Sequence, residues 1–284
     1  MRRILLLVIF HLIAFSHQGK IESYKNGPKP TPYHDWDYMV YSQRWPNTAC
    51  AEWEESKTGN TCNLPQDKTL WTIHGLWPTK IGQLGPFFCP SAIHFDPDDL
   101  KPMLNDLSTY WINVEANTRN DSFWAHEWKK HGSCASILPA LDSVTNYFKV
   151  GLQLNREFDL ASLLAVGGVI PGMNSYNVSL IYNLIKNATT KNPDIQCVLD
   201  KKSKESLLSE IRICFDKSFN VIDCNESSST DLGTNTNCNL QKPVWYINNV
   251  SVYNARREYD NDFNQQRRYI WLYFFLRSLI WITL

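Results

Sequence analysis

Short apolar runs and amphipathic stretches alternate along most of the chain, and each pattern predicts a different element. Short runs rich in β-branched and aromatic side chains are typical of strands and occur at residues 38–41, 70–73, 195–199, 210–215 and 219–224. The last two predict a hairpin around residues 216–218. Apolar positions at helical spacing predict helices at residues 98–107, 122–131, 143–158 and 175–186.

The helix predicted at residues 122–131 has recognisable end signals. Asp121 or Ser122 is expected to cap its start, and Gly132 is expected to end it. No linker separates the predicted elements, and no repeat is visible. The mixture of strands and helices predicts a single α+β domain, with a central, mostly antiparallel sheet packed against helices.

The first sixteen residues have the pattern of a secretory signal peptide, with an uncleaved membrane anchor as the alternative. Arg2 and Arg3 precede an apolar run over residues 4–15 that is too short to cross a bilayer, and Ser16 offers a small residue for cleavage. We therefore expect residues 1–16 to be removed and the folded domain to begin after them.

The C-terminal end is unusual. Residues 269–284 are almost all apolar, interrupted by Arg277, and the run is short for a membrane span. A segment docked on the domain or frayed from it, a lipid-attachment signal and an error in the coding sequence all remain open. Residues 255–284 are accordingly treated as a tail of unknown role.

Composition excludes several classes of protein. Hydrophobic residues make up 43% of the 284 residues and charged residues 20%, which indicates a folded globular chain. Lys+Arg and Asp+Glu both number 28, so the formal charge is zero, which argues against a histone-like binder of phosphates. Eleven Trp and thirteen Tyr suit a core, a sugar site or a base-stacking site equally well.

Cysteines and sequons agree with an exported chain. Eight cysteines favour four disulfide bridges, although the count alone allows many pairings, and no Cys-x-x-Cys supports a zinc ribbon. Five Asn-x-Ser/Thr sequons predict glycosylation of a secreted or lysosomal protein, at Asn120, Asn177, Asn187, Asn225 and Asn249.

A His-Glu-Trp-Lys-Lys-His stretch carries the first candidate chemistry. His126 and His131 are five residues apart, so a straight helix turns them ~140° from each other, and they do not suit a shared zinc ion. No metal site is expected. Glu127 and His131, four apart, share a helical face with Lys130. A solvated charged face is the alternative, but Phe123, Trp124 and Trp128 surround these charges.

A second histidine stands in the aromatic segment Trp-Thr-Ile-His-Gly-Leu-Trp-Pro. His74 follows a predicted strand and precedes Gly75 and Trp77. Two imidazoles that titrate near neutrality can act on opposite sides of a phosphodiester, one taking a proton while the other gives one. A nearby lysine and glutamate can then stabilise the charge that develops on phosphorus.

These two segments, His74 to Pro78 and His126 to Cys134, resemble the two catalytic segments of the ribonuclease T2 family, the acid secretory endoribonucleases. The resemblance covers about residues 33–238, and we expect the catalytic domain to span residues 17–254. It implies metal-independent cleavage of RNA through a 2′,3′-cyclic phosphate. His131 would be the base and His74 the acid, or the reverse, with Glu127 and Lys130 stabilising the transition state and His126 holding phosphate.

The same resemblance implies further assignments. Bases would bind on Trp77, with Phe123, Asn113 and Arg44 as weaker candidates, for which core or surface roles are the alternative. The implied disulfides are Cys50–Cys62, Cys89–Cys134, Cys197–Cys238 and Cys214–Cys224.

The expected substrate is single-stranded RNA, because stacking suits unpaired bases. DNA lacks the 2′-hydroxyl and should be inert. We expect no cofactor, no obligate membrane partner and a monomer. Because one imidazole must be charged and the other neutral, the pH optimum of RNA cleavage is predicted to be acidic to mildly acidic. The rival hypotheses are a glycoprotein that acts by binding cell-surface receptors and a phosphodiesterase for cyclic nucleotides.

Overall fold

The computed structural model describes residues 34–83, 85–119, 121–224 and 235–282. The strands are β1 (Tyr38–Arg44), β2 (Thr72–Thr79), β3 (Ser175–Tyr176), β4 (Asp194–Leu199), β5 (Ser206–Phe215), β6 (Val221–Ile222), β7 (Asn235–Thr236) and β8 (Val244–Trp245). The helices are α1 (Pro46–Ser56), α2 (Leu104–Tyr110), α3 (Ser122–Glu127), α4 (Ser133–Ala135), α5 (Val144–Glu157), α6 (Leu160–Val166), α7 (Val178–Thr189) and α8 (Val250–Ile282), with 3₁₀ turns at Pro97–Met103 and Pro139–Leu141.

The strands form one mixed sheet whose main path runs β2-β1-β5-β4-β7. The three central pairings, β2 with β1, β1 with β5 and β5 with β4, are antiparallel. Among the described strands, the parallel pairings are short and lie on the flanks, β7 with β4 and β8 with β5. The predicted α+β class with a mostly antiparallel sheet is therefore confirmed, as is the hairpin that joins β5 to β6.

Several elements differ from their predicted bounds. The β2 strand continues through Pro78, which an edge strand tolerates because its outer N–H groups need no ladder partner. The helix predicted from residue 175 begins at Val178, because the Asn177 side chain accepts a hydrogen bond from the Ser179 amide and caps it. Helices α1 and α6 were not predicted, since α1 has no clear apolar stripe and α6 is short.

The prediction that the helix over residues 122–131 ends at Gly132 is wrong. A five-residue π-helical turn, Trp128–Gly132, follows α3 directly and leads into α4. Gly132 has ordinary helical dihedrals, and a Cβ there would lie 2.3 Å from the Trp128 ring. Gly132 therefore permits close packing instead of terminating the helix. Neither predicted cap forms: Asp121 makes no capping bond and instead pairs with Arg119.

Most of the tryptophans belong to the core. Trp36, Trp45, Trp71, Trp111 and Trp128 are all at most 2% exposed. Their indole N–H groups donate to backbone carbonyls or, for Trp71, to the Tyr246 hydroxyl. The high aromatic content is thus mainly structural.

Four disulfides join the pairs that the resemblance implies: Cys50–Cys62, Cys89–Cys134, Cys197–Cys238 and Cys214–Cys224. The second of them connects the segment after β2 to α4, immediately beyond the π-helical turn. A bridge that closes a loop of this length contributes about 4 kcal/mol in the chain-entropy account. It ties the helical segment that carries His126 and His131 to the segment that follows His74.

The last helix, α8, starts before residue 255 and runs across the expected boundary of the domain. Its first turns are docked, with Tyr253 and Arg257 buried. None of the helices in the described ranges is both long and apolar enough to cross a bilayer. The expected signal peptide at residues 1–16, Asn120 and Asn225 lie outside the described residues.

Candidate active site

A cavity of about 660 Å³ opens between β2, β5, α3 and the π-helical turn. All nine residues proposed for catalysis, phosphate or base contact line it. The full lining is Arg44, His74, Trp77, Phe87, Asn113, Glu115, Ser122, Phe123, His126, Glu127, Lys130, His131 and Arg212. The fold therefore brings together two segments that lie about fifty residues apart in the chain.

A β-bulge presents His74 to this cavity. The register between β1 and β2 passes from Gln43–Ile73 directly to Ser42–Gly75, so that His74 has no partner on β1. Bulges of this kind redirect a side chain and often lie beside functional sites. The bulge accounts for the orientation of His74 on a strand that otherwise pairs regularly with β1.

One carboxylate holds the His74 ring from behind. Glu210 Oε1 on β5 is in short contact with His74 Nδ1. The other oxygen, Glu210 Oε2, accepts bonds from Ser42 Oγ at 3.1 Å and from Arg212 Nε and Nη2 at 2.9 and 2.6 Å. Arg212 Nη1 in turn contacts Asp194 Oδ2 at 3.1 Å. Nδ1 of His74 is therefore occupied, which leaves Nε2 as the nitrogen available to the cavity.

Trp77 and Glu127 form the partition between the two histidines. Trp77 Nε1 donates to Glu127 Oε2 at 2.9 Å, and the indole lies 5.0 Å from the ring of His74 and 5.3 Å from that of His131. Glu127 is 2% exposed, and this burial raises its pKa, against the opposing effects of His74 and Trp77. The Trp77 indole thus fixes the Glu127 carboxyl between the two histidines.

Gly75 makes this partition sterically feasible. A Cβ at Gly75 would lie 2.1 Å from Trp77 Nε1 and 2.2 Å from Glu127 Oε2. No side chain can occupy that space without displacing the pair. The glycine in the first motif is thus required for close approach and not for an unusual backbone conformation.

His131 lies in the π-helical turn and is only 4% exposed. Burial, together with the charges of Lys130, His74 and His126, lowers its pKa to about 2. Its Nδ1 is buried and has no hydrogen-bond partner among the described residues. The imidazole is therefore neutral and has an unoccupied nitrogen.

The π-helical turn also changes the position of His126. On a straight helix His126 and His131 would face different directions, and we expected them to do so. A π-helical turn contains about one more residue than an α-helical turn, so residues five apart lie nearer to the same face of the helix. The side chains of His126 and His131 accordingly both line the cavity. His126 is exposed at the rim, where the Phe88 ring lies 6.3 Å away.

Phe87, which the sequence analysis missed, closes the His131 side of the cavity. Its ring packs edge-on against His131 at 5.5 Å and lies 5.2 Å below Lys130 Nζ. The Phe88 amide donates to the Lys130 carbonyl at 3.0 Å, which fixes this segment against the turn. No motif marked Phe87; only its place just before Cys89 could have suggested it.

The weaker base-binding candidates lie at the opposite end. The guanidinium of Arg44 lies 4.3 Å over the Phe123 ring, and its Nη2 donates to the Ile112 carbonyl. Asn113 bonds Thr118, Ser122 and two backbone groups, so that it organises the loop that follows it. Phe123 keeps an exposed part toward the cavity, whereas the polar atoms of Asn113 are already satisfied.

Glu210 and Arg212, like Glu115 in the lining, are charged groups that the sequence analysis missed. They stand at alternate positions of β5, a strand otherwise almost fully buried. Charges inside a buried strand are rare unless they are paired. That pattern was the available signal, because the β5 sequence Ser-Glu-Ile-Arg-Ile-Cys places both on one face.

Comparison with known proteins gives the chain a family. The sequence profile of the Ribonuclease T2 family matches residues 36–224, which include both histidine segments. The chain belongs to the ribonuclease T2 family. It is a T2-type endoribonuclease, and its substrate is RNA.

Individual T2 relatives agree over most of the domain. Ribonuclease Oy of Magallana gigas is 35% identical over 75% of this chain and 96% of its own length. Ribonuclease T2 of Sus scrofa is 36% identical over 68% and 91%, respectively. Among solved structures, human RNase T2 superposes with a TM-score of 0.60 at 32% identity, covering 75% of this chain and 98% of that one. A mutant of RNase MC1 in complex with 5′-GMP superposes with a TM-score of 0.62 at 26% identity, covering 75% of this chain and all of the other.

Proposed function

We propose that this T2 ribonuclease cleaves single-stranded RNA by attack of a ribose 2′-hydroxyl on the neighbouring phosphorus. In this mechanism, His131 takes the hydroxyl proton as the P–O2′ bond forms, and His74 gives a proton to the departing 5′-oxygen as the P–O5′ bond breaks. The products are a 2′,3′-cyclic phosphate and a 5′-hydroxyl. Water then opens the cyclic phosphate to a 3′-phosphate, with the two histidines in exchanged roles.

The opposite surroundings of the two histidines carry this assignment. His131 is desolvated and lies near Lys130 and two other histidines, which keeps it neutral and able to accept a proton. His74 has its Nδ1 against the Glu210 carboxylate, an arrangement that orients the ring with Nε2 toward the cavity. An acid and a base are thus separated by their environments, as pairs of catalytic groups generally are.

The remaining polar side chains suit the charge that builds up on phosphorus. Lys130 and His126 supply positive charge at the mouth of the cavity, where a phosphate of the substrate would lie. The carboxyl of Glu127, which lines the same cavity, would stabilise the transition state beside them. The same carboxyl keeps Trp77 in place through its bond to Nε1.

Base contact would rest on the aromatic rings at either end of the cavity. The best-placed ring is that of Phe123, backed by Arg44, which would offer its other side to an unpaired base. Trp77 would contribute ring-edge contact, since Glu127, His131 and Arg212 already touch it. Asn113 would act through the loop that it organises. The RNase MC1 complexes with 5′-GMP and 5′-UMP agree with nucleotide binding in this fold.

We further propose that the chain, after removal of residues 1–16, is an active, monomeric, secreted or lysosomal enzyme whose catalytic domain spans residues 17–254. The three described sequon asparagines, Asn177, Asn187 and Asn249, are all exposed. Four disulfides suit the oxidising environment of the secretory pathway. One relative is named an extracellular ribonuclease.

A defined oligonucleotide tests the reaction. An unpaired RNA in which one ribose carries a 2′-methoxy group should resist cleavage at that linkage only, because the nucleophile is blocked, while every other linkage is cut to a cyclic phosphate. End-group analysis of the products shows which linkages were cut and whether a cyclic phosphate formed. A chelator added in parallel should change neither result. Cleavage at the blocked linkage, or a loss of activity that zinc restores, would overturn the mechanism.

A further inference from the structure

The last helix has two very different parts. The first turns of α8 are docked: Arg257 Nη1 contacts Glu55 and Asp200 at 2.7 and 2.6 Å, and the guanidinium of Arg256 lies 3.9 Å over the Trp245 ring. The described side chains from residue 262 to residue 272 are all exposed. The docked turns fix the direction of the helix, and the described side chains from residue 262 to residue 272 face solvent.

Four consecutive apolar residues near this end are exposed together. Tyr269, Ile270, Trp271 and Leu272 are 63%, 56%, 66% and 45% exposed. At about 100° per residue they point in all directions around the helix axis. A groove on a partner protein covers one face of a helix, whereas a helix that is apolar on every side suits a hydrocarbon environment.

Charge distinguishes the kind of lipid surface. Arg267 and Arg268 are exposed immediately before the apolar run, and Arg277 follows within it. The sequence has no acidic residue after Asp262. Arginines beside an apolar segment attract anionic headgroups, and Trp and Tyr favour the headgroup boundary.

The length limits the depth of insertion. The apolar run is sixteen residues long, and at the rise of an α-helix sixteen residues cover at most ~24 Å, less than the ~30 Å hydrocarbon core of a bilayer. Arg277 would also lie within that span. The segment is therefore suited to the interface of one leaflet and not to crossing the membrane.

We propose that the C-terminal part of α8 docks the enzyme on anionic membrane surfaces, with the apolar residues from Tyr269 onward inserted into one leaflet and Arg267 and Arg268 among the headgroups. The active-site cavity is formed by other elements, so RNA cleavage does not depend on this contact.

Vesicle co-sedimentation of the full chain tests the docking. Vesicles of phosphatidylcholine with added phosphatidylserine should pellet the protein, and vesicles of phosphatidylcholine alone should do so at least about tenfold less well. The double variant Trp271→Glu/Leu272→Ser should lose binding to both, and Arg267→Gln/Arg268→Gln should lose the preference for phosphatidylserine. Val166→Ser, at an exposed apolar residue of α6, is the matched control.

Ribonuclease activity on a short RNA verifies that each variant is folded. Equal binding of the wild type to both vesicle types, or unchanged binding of the Trp271 double variant, would overturn the proposal. So would vesicle-independent self-association that the same variant abolishes, because the apolar segment would then be covered by a second copy of the chain.

A second, independent inference concerns Glu210 and rests on the proposed function of His74. Glu210 is buried, and although burial alone would raise its pKa, the charges and hydrogen bonds of His74 and Arg212 hold that pKa well below its usual range. The carboxylate is thus a permanent anion behind the His74 ring. The other titratable groups that interact electrostatically with His74 are Glu52 from α1, Glu127 from α3 and His131.

We infer that Glu210 is a positioning residue for His74: it accepts the Nδ1 proton, fixes the ring orientation and keeps Nε2 directed to the leaving oxygen. Arg212, paired with Asp194 across the strands, prevents Glu210 from turning away. Neither Glu210 nor Asp194 lines the cavity, so both act through their neighbours.

Glu210→Gln separates positioning from a merely structural role. It should lower kcat by about 10- to 100-fold with little change in KM, and shift the limb of the pH–rate profile that requires a charged imidazole to lower pH. Ser42→Ala, the control, removes another hydrogen bond to the Glu210 carboxylate and should leave that limb of the pH–rate profile unchanged. Glu210→Asp should retain part of the activity that Glu210→Gln loses.

Two variants distinguish a failure of the inference about Glu210 from a failure of the proposed function. If His74→Ala is inactive while Glu210→Gln keeps the wild-type profile, the inference about Glu210 is wrong and the proposed function stands. If His74→Ala remains active, the proposed function itself is wrong.

Discussion

The two histidines of the cavity show how one fold gives the same side chain opposite properties. His74 lies on a strand bulge, partly exposed, with an anionic carboxylate at Nδ1. His131 lies in a π-helical turn, almost fully buried, with cationic neighbours and an unbonded Nδ1. An acid and a base need this kind of difference, and here it comes from backbone irregularities in two segments that a disulfide connects.

The irregularities themselves carry the chemistry. A regular strand would pair His74 with β1, and a regular α-helix would point His126 away from His131. In both segments the deviation from ideal geometry directs a polar side chain into the cavity. Substitutions at several positions should therefore alter the difference between the two histidines, each with its own expected effect.

Removal of either histidine should have the largest effect. His74→Ala and His131→Ala should each lower kcat/KM on single-stranded RNA by about 10² to 10⁴, since each removes one partner of the proton transfer. His94→Ala, at an exposed histidine outside the cavity, is the control and should be neutral. Turnover close to wild type in either cavity variant would remove that histidine from the mechanism.

The partition between the histidines is the next most sensitive point. Gly75→Ala would place a methyl group within 2.2 Å of both Trp77 Nε1 and Glu127 Oε2. The displacement should cost activity on the order of 10²-fold, as ångström-scale misplacement of catalytic groups does. Gly172→Ala, where a Cβ would meet only the end of the Asn174 side chain, serves as control. Equal activities of the two variants would contradict a role for close packing at Gly75.

The cationic surroundings of His131 can be altered directly. Lys130→Met removes the positive charge that, after burial, lowers the pKa of His131 most. That pKa should therefore rise, which a titration of the His131 ring protons by NMR would measure. Lys129→Met, the control, changes an exposed neighbouring lysine that does not line the cavity. It should leave the pKa of His131 unchanged. The same pKa in both variants would show that Lys130 does not control His131.

Sequence patterns alone predicted much of the fold and the chemically distinctive residues. The fold class, the β5–β6 hairpin and the gathering of His74 with the second histidine segment followed from periodicity and motifs. The histidine, glutamate and lysine side chains were identifiable because their residue types are chemically specific. Aromatic residues such as Trp45 and Trp111 could not be assigned to core or site from composition, and the structure places them in the core.

What sequence could not supply depends on register. The bulge at His74 is a property of the pairing between two strands, and the π-helical turn depends on how Trp128 packs against Gly132. Glu210 becomes relevant only because β5 pairs with β1, which places it opposite Arg44 with its carboxylate in reach of Ser42 and His74. Such long-range registers leave no local pattern, which is why the partners of His74 were missed.

The smallest effect concerns stability. A histidine whose pKa in the folded state lies near 2 stays neutral while the unfolded chain binds a proton below about pH 6.5. Its contribution to stability is complete above that pH and is lost as the pH falls. The wild type should therefore lose about 2 kcal/mol more unfolding free energy than His131→Phe between about pH 7 and about pH 5. Urea unfolding at both pH values measures the difference, and parallel losses would mean that His131 is not held neutral by burial.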